Sequence, residues 1–145
     1  MTESLPERQA HDHRVVLELL EERRQLWSLY TALEQRPPST PEQALETRLR
    51  EFCQILVDYI SLGHFEMYPR LTDVPERRAR VQTLANSLYP KFMDATDAAI
   101  AFNDRYEHLA AAALGKALDD DLASLGQALT SRFALEDQLI DAMAD

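Results

Sequence analysis

The sequence predicts an all-α protein, folded as an antiparallel bundle of four long helices that are kinked at some prolines. Helix-forming residues dominate the composition, and the 145-residue chain has only three glycines. Apolar residues recur at helical spacing, whereas no segment shows strand alternation and no internal repeat is present. A chain of this length is typical of one domain with a buried core, so we expect residues 1–145 to form a single domain.

The N-terminal part of the chain predicts a loose leader followed by the first long helix. Residues 1 to about 9 are expected to form the leader. From about His11 to Arg36, apolar side chains recur at the spacing of one helical face. The positions are Val16, Leu19, Leu20, Leu26, Trp27, Tyr30 and Leu33. The stretch RPPSTPEQ then breaks the pattern.

The second helix is predicted from a start signal and a long apolar stripe. Thr40, Pro41 and Gln43 have the order of an N-cap, a proline at the first helical position and a capping-box partner. The stripe that follows consists of Leu45, Leu49, Phe52, Leu56, Ile60, Gly63 and Met67. Pro69 is expected to end or kink this helix because proline lacks a backbone N–H.

The remaining helices are predicted in the same way. Asp73 and Glu76 repeat the cap signature and open a helix to about Ser87, and Pro90 is expected to interrupt the chain again. A further helical pattern contains Phe92, Ala95, Ala99, Phe102 and Tyr106. After LGKALDDD, the last pattern contains Leu122, Leu125, Leu129, Phe133, Leu139, Ile140 and Met143.

Charge and composition restrict the classes of partner and compartment. The net charge of −10 argues against direct binding of nucleic acid, whose phosphates a negative surface repels, and favours a basic protein partner. The single Cys53 excludes an internal disulfide and fits a reducing compartment. The N-terminus has no apolar segment typical of a signal peptide, and no apolar run approaches the length of a membrane span. We therefore expect a cytoplasmic protein without a membrane partner.

One face of the second helix carries an aromatic residue where a solvated surface is expected. Counting about 100° per residue from Leu56 in the core stripe, Asp58, Ser61 and Phe65 fall at about 200°, 140° and 180°. Phe65 is therefore either covered by another helix or displayed as an anchor for a partner. Periodicity alone leaves both interpretations open.

Two blocks of sequence resemble a known family. FCQILVDYISLGHFEMYPRL at residues 52–71 and LTSRFALEDQLIDAM at residues 129–143 resemble the Rsd/AlgQ family of bacterial anti-sigma factors in order and spacing. Tyr89–Pro90 matches the family's aromatic-proline step between the blocks. The string F-C-x-x-L-V-D-Y-x-S-x-G-H-F is long and specific, whereas the first 40 residues and residues 107–121 match weakly.

The resemblance implies a function and a site. It implies a helical protein that binds the housekeeping sigma factor of RNA polymerase in a one-to-one complex, at the region that recognises the −35 promoter element. This complex keeps the sigma factor from polymerase and favours alternative sigma factors as growth slows. The family's contact residues map onto Asp58, Ser61 and Phe65, which favours a displayed Phe65. We expect no cofactor, no direct contact with nucleic acid and a monomeric free protein.

Two further functions compete with this interpretation. One is a metal- or ligand-carrying helical bundle similar to hemerythrin, and the other is an acidic adaptor for a different basic protein. No Glu-x-x-His pair occurs, and His11 and His13 diverge by about 200° on a helix, so the metal site is disfavoured. Asp104 and His108 lie one turn apart, but such pairs are common on solvated faces. No motif for catalysis is present, so we do not expect an enzyme.

Several single residues carry structural expectations. His64 is expected to pack by hydrogen bonding at the edge of the core, and Gly63 to allow the close approach of another helix. Glu136 is expected to pair with Arg132 or with an arginine of the first helix. Cys53 is expected to be inert packing. Pro69 departs from the family's usual helix-compatible residue, so the binding site could be tilted by a bend there.

Overall fold

The computed structural model describes residues 4–67, 75–108 and 117–144, and within these ranges it contains helices and no strand. The helices are α1 (Leu5–Glu34), α2 (Glu42–Leu62), α3 (Pro75–Tyr106) and α4 (Ala117–Ala144). A π-helical turn, Gly63–Met67, continues directly from α2. The prediction of an all-α helical bundle is confirmed.

Helix α1 begins earlier than predicted, because it has a complete capping box at its first residues. The Ser4 hydroxyl accepts a hydrogen bond from the Glu7 N–H at 3.3 Å, and the Glu7 carboxylate accepts one from the Ser4 N–H at 3.4 Å. Pro6 lies in the first turn, where its missing N–H is not needed. Residues 5–9, which were expected to belong to a loose leader, are therefore helical.

The predicted cap of α2 at Thr40 is wrong. The Thr40 hydroxyl and its N–H both donate to the Pro37 carbonyl oxygen, at 2.7 and 3.0 Å. The Thr40 side chain therefore forms its hydrogen bond within the turn that follows α1 and does not cap α2. Helix α2 begins at Glu42 after an extended Pro41 and has no side-chain cap.

The predicted interruption at Pro90 is also wrong, because α3 continues through it. Proline removes the hydrogen bond to the carbonyl of Asn86, but Asn86 and Pro90 are both exposed, so water can satisfy that oxygen. The predicted effects of Pro69 and the predicted cap at Asp73 lie outside the described residues.

The core is built largely from the predicted apolar stripes and is rich in aromatic rings, but Leu20 and Trp27 of the α1 stripe are exposed, and Val15, outside the stripe, is buried. Phe52 of α2 packs edge-on against Phe102 of α3 at 5.7 Å, and Tyr59 of α2 packs edge-on against Phe133 of α4 at the same distance. Trp27 of α1 also lies edge-on to Phe133, at 5.7 Å. Each of these ring pairs joins two helices, so the aromatic contacts help to hold the bundle together. Within the described ranges, no helix is long and apolar enough to cross a membrane.

A buried polar network lies at the centre of this apolar core. Arg132 and Glu136 of α4 are fully buried, and the Arg132 Nε lies 3.3 Å from the Glu136 Oε2. Arg132 also donates to the hydroxyl of Thr96 in α3, and the Tyr59 hydroxyl of α2 donates to Glu136. Arg23 of α1 lies 3.5 Å from the second Glu136 oxygen. The network therefore joins all four helices and confirms the expected pairing of Glu136.

Aromatic rings and burial complete the environment of the ion pair. The Arg132 guanidinium lies 4.0 Å from the ring centroid of Phe92 and 5.2 Å from that of Tyr59. Burial raises the pKa of the Glu136 carboxyl, although the bonds from Tyr59 and Arg132 oppose this effect. Cys53 is buried as expected, and burial raises the pKa of its thiol to about 12.

Removing one partner of the ion pair is expected to destabilise the fold strongly. Arg132→Ala leaves the Glu136 carboxylate buried without its main partner, which should lower the free energy of unfolding by about 3–5 kcal/mol. The double variant Arg132→Met/Glu136→Leu removes both charges and should lose less. Chemical denaturation followed by circular dichroism measures each value.

The matched control is Arg24→Ala, which removes an exposed ion pair with Glu21 and should leave stability nearly unchanged. Equal losses for Arg132→Ala and Arg24→Ala would contradict a central role for the buried pair.

Candidate functional site

The three predicted site residues lie together in one groove between α1 and α2. The groove has a volume of about 680 Å³. Asp58 and Ser61 of α2 and Phe65 of the π-helical turn line one wall, with Leu62 and Glu66 beside them. The opposite wall belongs to α1. The helical spacing of three and four residues places the first three side chains on one face, as the sequence predicted.

Phe65 is displayed and not covered. Its side chain is 71% exposed, the largest value among the exposed large apolar residues of the described chain. The ring of His64 lies edge-on to it at 4.8 Å between centroids. His64 is itself exposed, so the expectation that it packs at the edge of the core is wrong. The two rings form an exposed aromatic pair beside the groove.

The groove is strongly acidic. All five ionisable residues that line it are carboxylic acids, and these are Glu18, Glu21, Glu22, Asp58 and Glu66. A concave surface with one sign of charge concentrates ligands of the opposite sign. The groove can therefore attract a cationic surface, and the exposed Phe65 ring offers an apolar contact beside it.

Glu22 has the least favourable environment of these acids. It is half-buried, and its Oε2 atom is inaccessible and accepts no hydrogen bond within the described structure. Partial burial raises the pKa of the Glu22 carboxyl, and the charge of Asp58 raises it further. Glu21 and Glu18 act in the same direction.

Glu21 differs because it is already paired within α1. Arg24 donates two hydrogen bonds to its carboxylate, at 2.6 and 3.0 Å, and Gln25 donates a third at 3.2 Å. The bonds from Arg24 and then Gln25 lower the pKa of Glu21 to about 2. The charge of Glu21 is thus largely balanced by Arg24 at the outer edge of the groove.

The α1 wall, consisting of Leu17, Glu18, Glu21 and Glu22, was not predicted as part of the site. The sequence contains a signal for it, because positions 17, 18, 21 and 22 lie on one helical face by their spacing. What the sequence does not show is that this face lies beside Asp58 and Phe65. That neighbourhood depends on how α1 packs on α2.

Gly63 begins the π-helical turn that carries Phe65 and lies against Arg132 of α4. A Cβ atom added at Gly63 would lie 2.6 Å from the Nη2 of Arg132, so a larger residue there would require the guanidinium to shift. The expected close approach at Gly63 is therefore made by a side chain of α4. π-Helical turns often occur at functional sites, and here the turn lies between the core network and the displayed ring.

The described residues contain no group of three or more histidine, cysteine, aspartate or glutamate side chains placed to hold a metal ion. Asp104 and His108 are exposed at the end of α3. No donor set in this part of the chain supports the metal-carrying alternative.

Comparison with known proteins shows similarity to one family over almost the whole chain. Residues 1–144 match the family described as "Regulator of RNA polymerase sigma(70) subunit, Rsd/AlgQ". The chain is 33% identical to "Regulator of sigma D" of Yersinia enterocolitica, over 99% of this chain and 88% of that protein. It is also 33% identical to "Regulator of sigma D" of Pectobacterium atrosepticum, over 99% of this chain and 96% of that protein. No solved structure matches the chain.

The contact between Gly63 and Arg132 predicts the effect of a small substitution. Alanine usually stabilises a helix relative to glycine, but Gly63→Ala should lower the free energy of unfolding by about 1–2 kcal/mol, because the added methyl group meets the Arg132 guanidinium, whose Nε and Nη1 are bonded to Glu136 and Thr96. Denaturant unfolding measures the difference.

Gly126→Ala provides the comparison, because its methyl group would meet the rigid ring of Tyr30 and should destabilise the chain more. A Gly63→Ala variant that is more stable than the parent would contradict the tight contact.

Proposed function

The chain belongs to the Rsd/AlgQ family, and on this premise we propose that it is an anti-sigma factor that regulates the RNA polymerase sigma(70) subunit by binding it. The family description and the names of the relatives state a regulatory role and no reaction, in agreement with the prediction that this protein is not an enzyme. The observation that supports the proposal best is the acidic groove with the displayed Phe65.

The proposed target is the region of the housekeeping sigma factor that recognises the −35 promoter element. A surface that binds DNA phosphates is basic, and a chain with a net charge of −10 attracts such a surface. When this region is bound in the groove, it is no longer available to promoter DNA or to core polymerase. Alternative sigma factors then gain access to polymerase as growth slows. The proposed complex is one-to-one, and the free protein is a cytoplasmic monomer that binds no nucleic acid directly.

Phe65 is the proposed anchor of the interface. Phe65 is 71% exposed in the free chain, so most of its surface can lose contact with water on binding. Transfer of a phenylalanine from water into an apolar pocket contributes about 1.5–3 kcal/mol. A small number of residues usually contributes most of the binding free energy of an interface, and aromatic residues are frequent among them.

Asp58 and Ser61 are proposed to orient the partner around this anchor. Asp58 is exposed and offers a carboxylate to a basic group, whereas Ser61 is half-buried and offers a hydroxyl. A charge at the rim of an interface affects the rate of approach and the register more than the final affinity.

A second proposal keeps the groove and changes the partner, because an acidic groove also attracts other basic proteins. Binding measurements separate the two proposals. If the sigma factor fails to bind and another basic protein binds with an affinity that Phe65→Ala weakens, the groove is kept and the partner is changed.

Substitution of the proposed anchor is expected to weaken sigma binding without loss of the fold. Phe65→Ala should lower the affinity for the promoter-recognition domain of the host's housekeeping sigma factor roughly tenfold to a hundredfold. Asp58→Asn should mainly slow association and reduce its dependence on salt. Calorimetric titration gives affinity and stoichiometry, and stopped-flow mixing gives the rate.

Ile100→Ala is the matched control, since Ile100 is an exposed apolar residue of α3 with 48% exposure that does not line the groove. Circular dichroism confirms that each variant remains helical. Failure of the parent chain to bind the domain or the full-length sigma factor would refute the proposed function. Binding that is unaffected by both substitutions would refute the proposed site.

A further inference from the structure

The two most exposed large apolar residues of the described chain lie in the same groove. Phe65 is 71% exposed on one wall, and Leu17 of α1 is 52% exposed on the other. The function proposed above uses only residues of α2 and the π-helical turn. We propose that Leu17 is a second apolar anchor, and that Leu17 and Phe65 together bind one amphipathic helix of the partner, which carries basic side chains beside its apolar face. This inference rests on the proposed function and deepens it, because it adds a residue of α1 and names the structural class of the occupant.

Packing within the chain does not explain an apolar residue at position 17. Counting about 100° per residue, Leu17 lies about 160° away from Leu19 and from Val15, which are both buried. It therefore faces away from the core, as Phe65 does on its own helix. Single exposed apolar residues are ordinary on a protein surface, but here two of them line one concave site together with the half-buried Leu62. A contiguous apolar surface of this kind is typical of an interaction site.

The shape of the groove fits a helix. A peptide that binds as an added β-strand needs a free sheet edge, and the described ranges contain no strand. An amphipathic helix instead lays its apolar face into an apolar groove, with its anchors at helical spacing. The groove between α1 and α2 has this form, because Leu17 and Phe65 lie on its two walls and leave a volume of about 680 Å³ between the helices.

Charge selects among the possible helical occupants. The described residues that line the groove include five carboxylic acids and no lysine, arginine or histidine. A second copy of this chain, with its net charge of −10, is therefore repelled. A helix with basic side chains beside its apolar face is attracted, and the methylene stems of arginine and lysine extend the apolar contact. The charges thus guide the helix into the groove, and the two anchors supply the apolar contact.

The test compares the parent chain with Leu17→Ala and Leu20→Ala in calorimetric titration with the promoter-recognition domain of the host's housekeeping sigma factor. Leu17→Ala removes most of the apolar contact on the α1 wall, so binding should be weaker by roughly tenfold. Burial of apolar surface makes the heat-capacity change of binding negative. Titrations at several temperatures should therefore give a less negative heat-capacity change for Leu17→Ala than for the parent chain.

Leu20→Ala is the matched control, because it is the same substitution on the same helix. Leu20 is 37% exposed and does not line the groove, so its variant should bind like the parent chain. Thermal unfolding separates binding from stability. Since Leu17 is the more exposed of the two leucines, Leu17→Ala should lower the melting temperature no more than Leu20→Ala does. A purely structural effect would give the opposite order of binding losses.

Salt concentration tests the charge of the occupant. The affinity of the parent chain should decrease as salt is added, because salt screens the attraction between exposed charges. Leu17→Ala removes no charge, so the factor by which it weakens binding should be the same at low and at high salt. A parent affinity that does not depend on salt would overturn the inference of a basic occupant.

Nuclear magnetic resonance of the isotope-labelled sigma domain tests whether the occupant is a helix. The resonances that differ between the parent complex and the Leu17→Ala complex should belong to residues three or four positions apart in one helix. Differences confined to a loop of the domain would overturn the inference.

The outcomes of the titrations distinguish this inference from the proposed function. Weaker binding by Leu17→Ala with a less negative heat-capacity change, and parent-like binding by Leu20→Ala, supports the second anchor. Parent-like affinity of Leu17→Ala overturns the inference, and the proposed function stands if Phe65→Ala still weakens binding. Equal losses for the two leucine variants also overturn it, as does weaker binding without a change in heat capacity, because Leu17 is then not covered by the partner.

Two further outcomes concern the identity of the occupant. A dimer of the parent chain in analytical ultracentrifugation that Leu17→Ala dissociates would overturn the inference, because a second copy then occupies the groove. A parent chain that binds neither the domain nor the full-length sigma factor refutes the proposed function itself.

Discussion

The buried ion pair of Arg132 and Glu136 is the interaction on which the arrangement of the bundle depends. Two charges without solvent exposure are tolerated in an apolar core only where other groups satisfy them, and these groups come from the other three helices. Apolar packing alone would allow neighbouring helices to shift by one turn at moderate cost. The need to place Tyr59, Thr96 and Arg23 around one ion pair restricts that freedom, as buried polar groups do in some helical assemblies.

The buried network touches a surface turn at one place, the contact between Arg132 and Gly63. The guanidinium of Arg132 occupies the space where any side chain at Gly63 would begin, and Gly63 is the first residue of the turn that displays Phe65. On the other side of Phe65, the groove is closed by α1, whose Arg23 lies near Glu136. The position of the exposed Phe65 ring and the position of the groove wall are thus linked to the core. The interface proposed above would need little rearrangement on such a support.

The charges of the groove are arranged differently from those of the core. In the core, Glu136 pairs with Arg132 and Arg23, although Arg132 Nη2 and Glu136 Oε1 make no hydrogen bond within the described structure. In the groove, several carboxylates lie close together on two helices. Partial burial and then the charge of Asp58 raise the pKa of the Glu22 carboxyl. Such an acidic surface is consistent with the basic partner proposed above.

The sequence by itself determined the fold class, the apolar stripes and the side of α2 on which Asp58, Ser61 and Phe65 lie, because these follow from the local period of the helix. It also contains the capping box at Ser4 and Glu7, which lies ahead of the start predicted for the first helix. Two local predictions failed because residue types alone do not choose between competing hydrogen bonds: Thr40 bonds back to Pro37 within its own turn, and α3 continues through the exposed Pro90. Only the tertiary structure decided that Phe65 is displayed and that Glu18 and Glu22 lie beside Asp58. Which faces of different helices meet depends on contacts between residues far apart in the chain, and a single helical period contains no information about them.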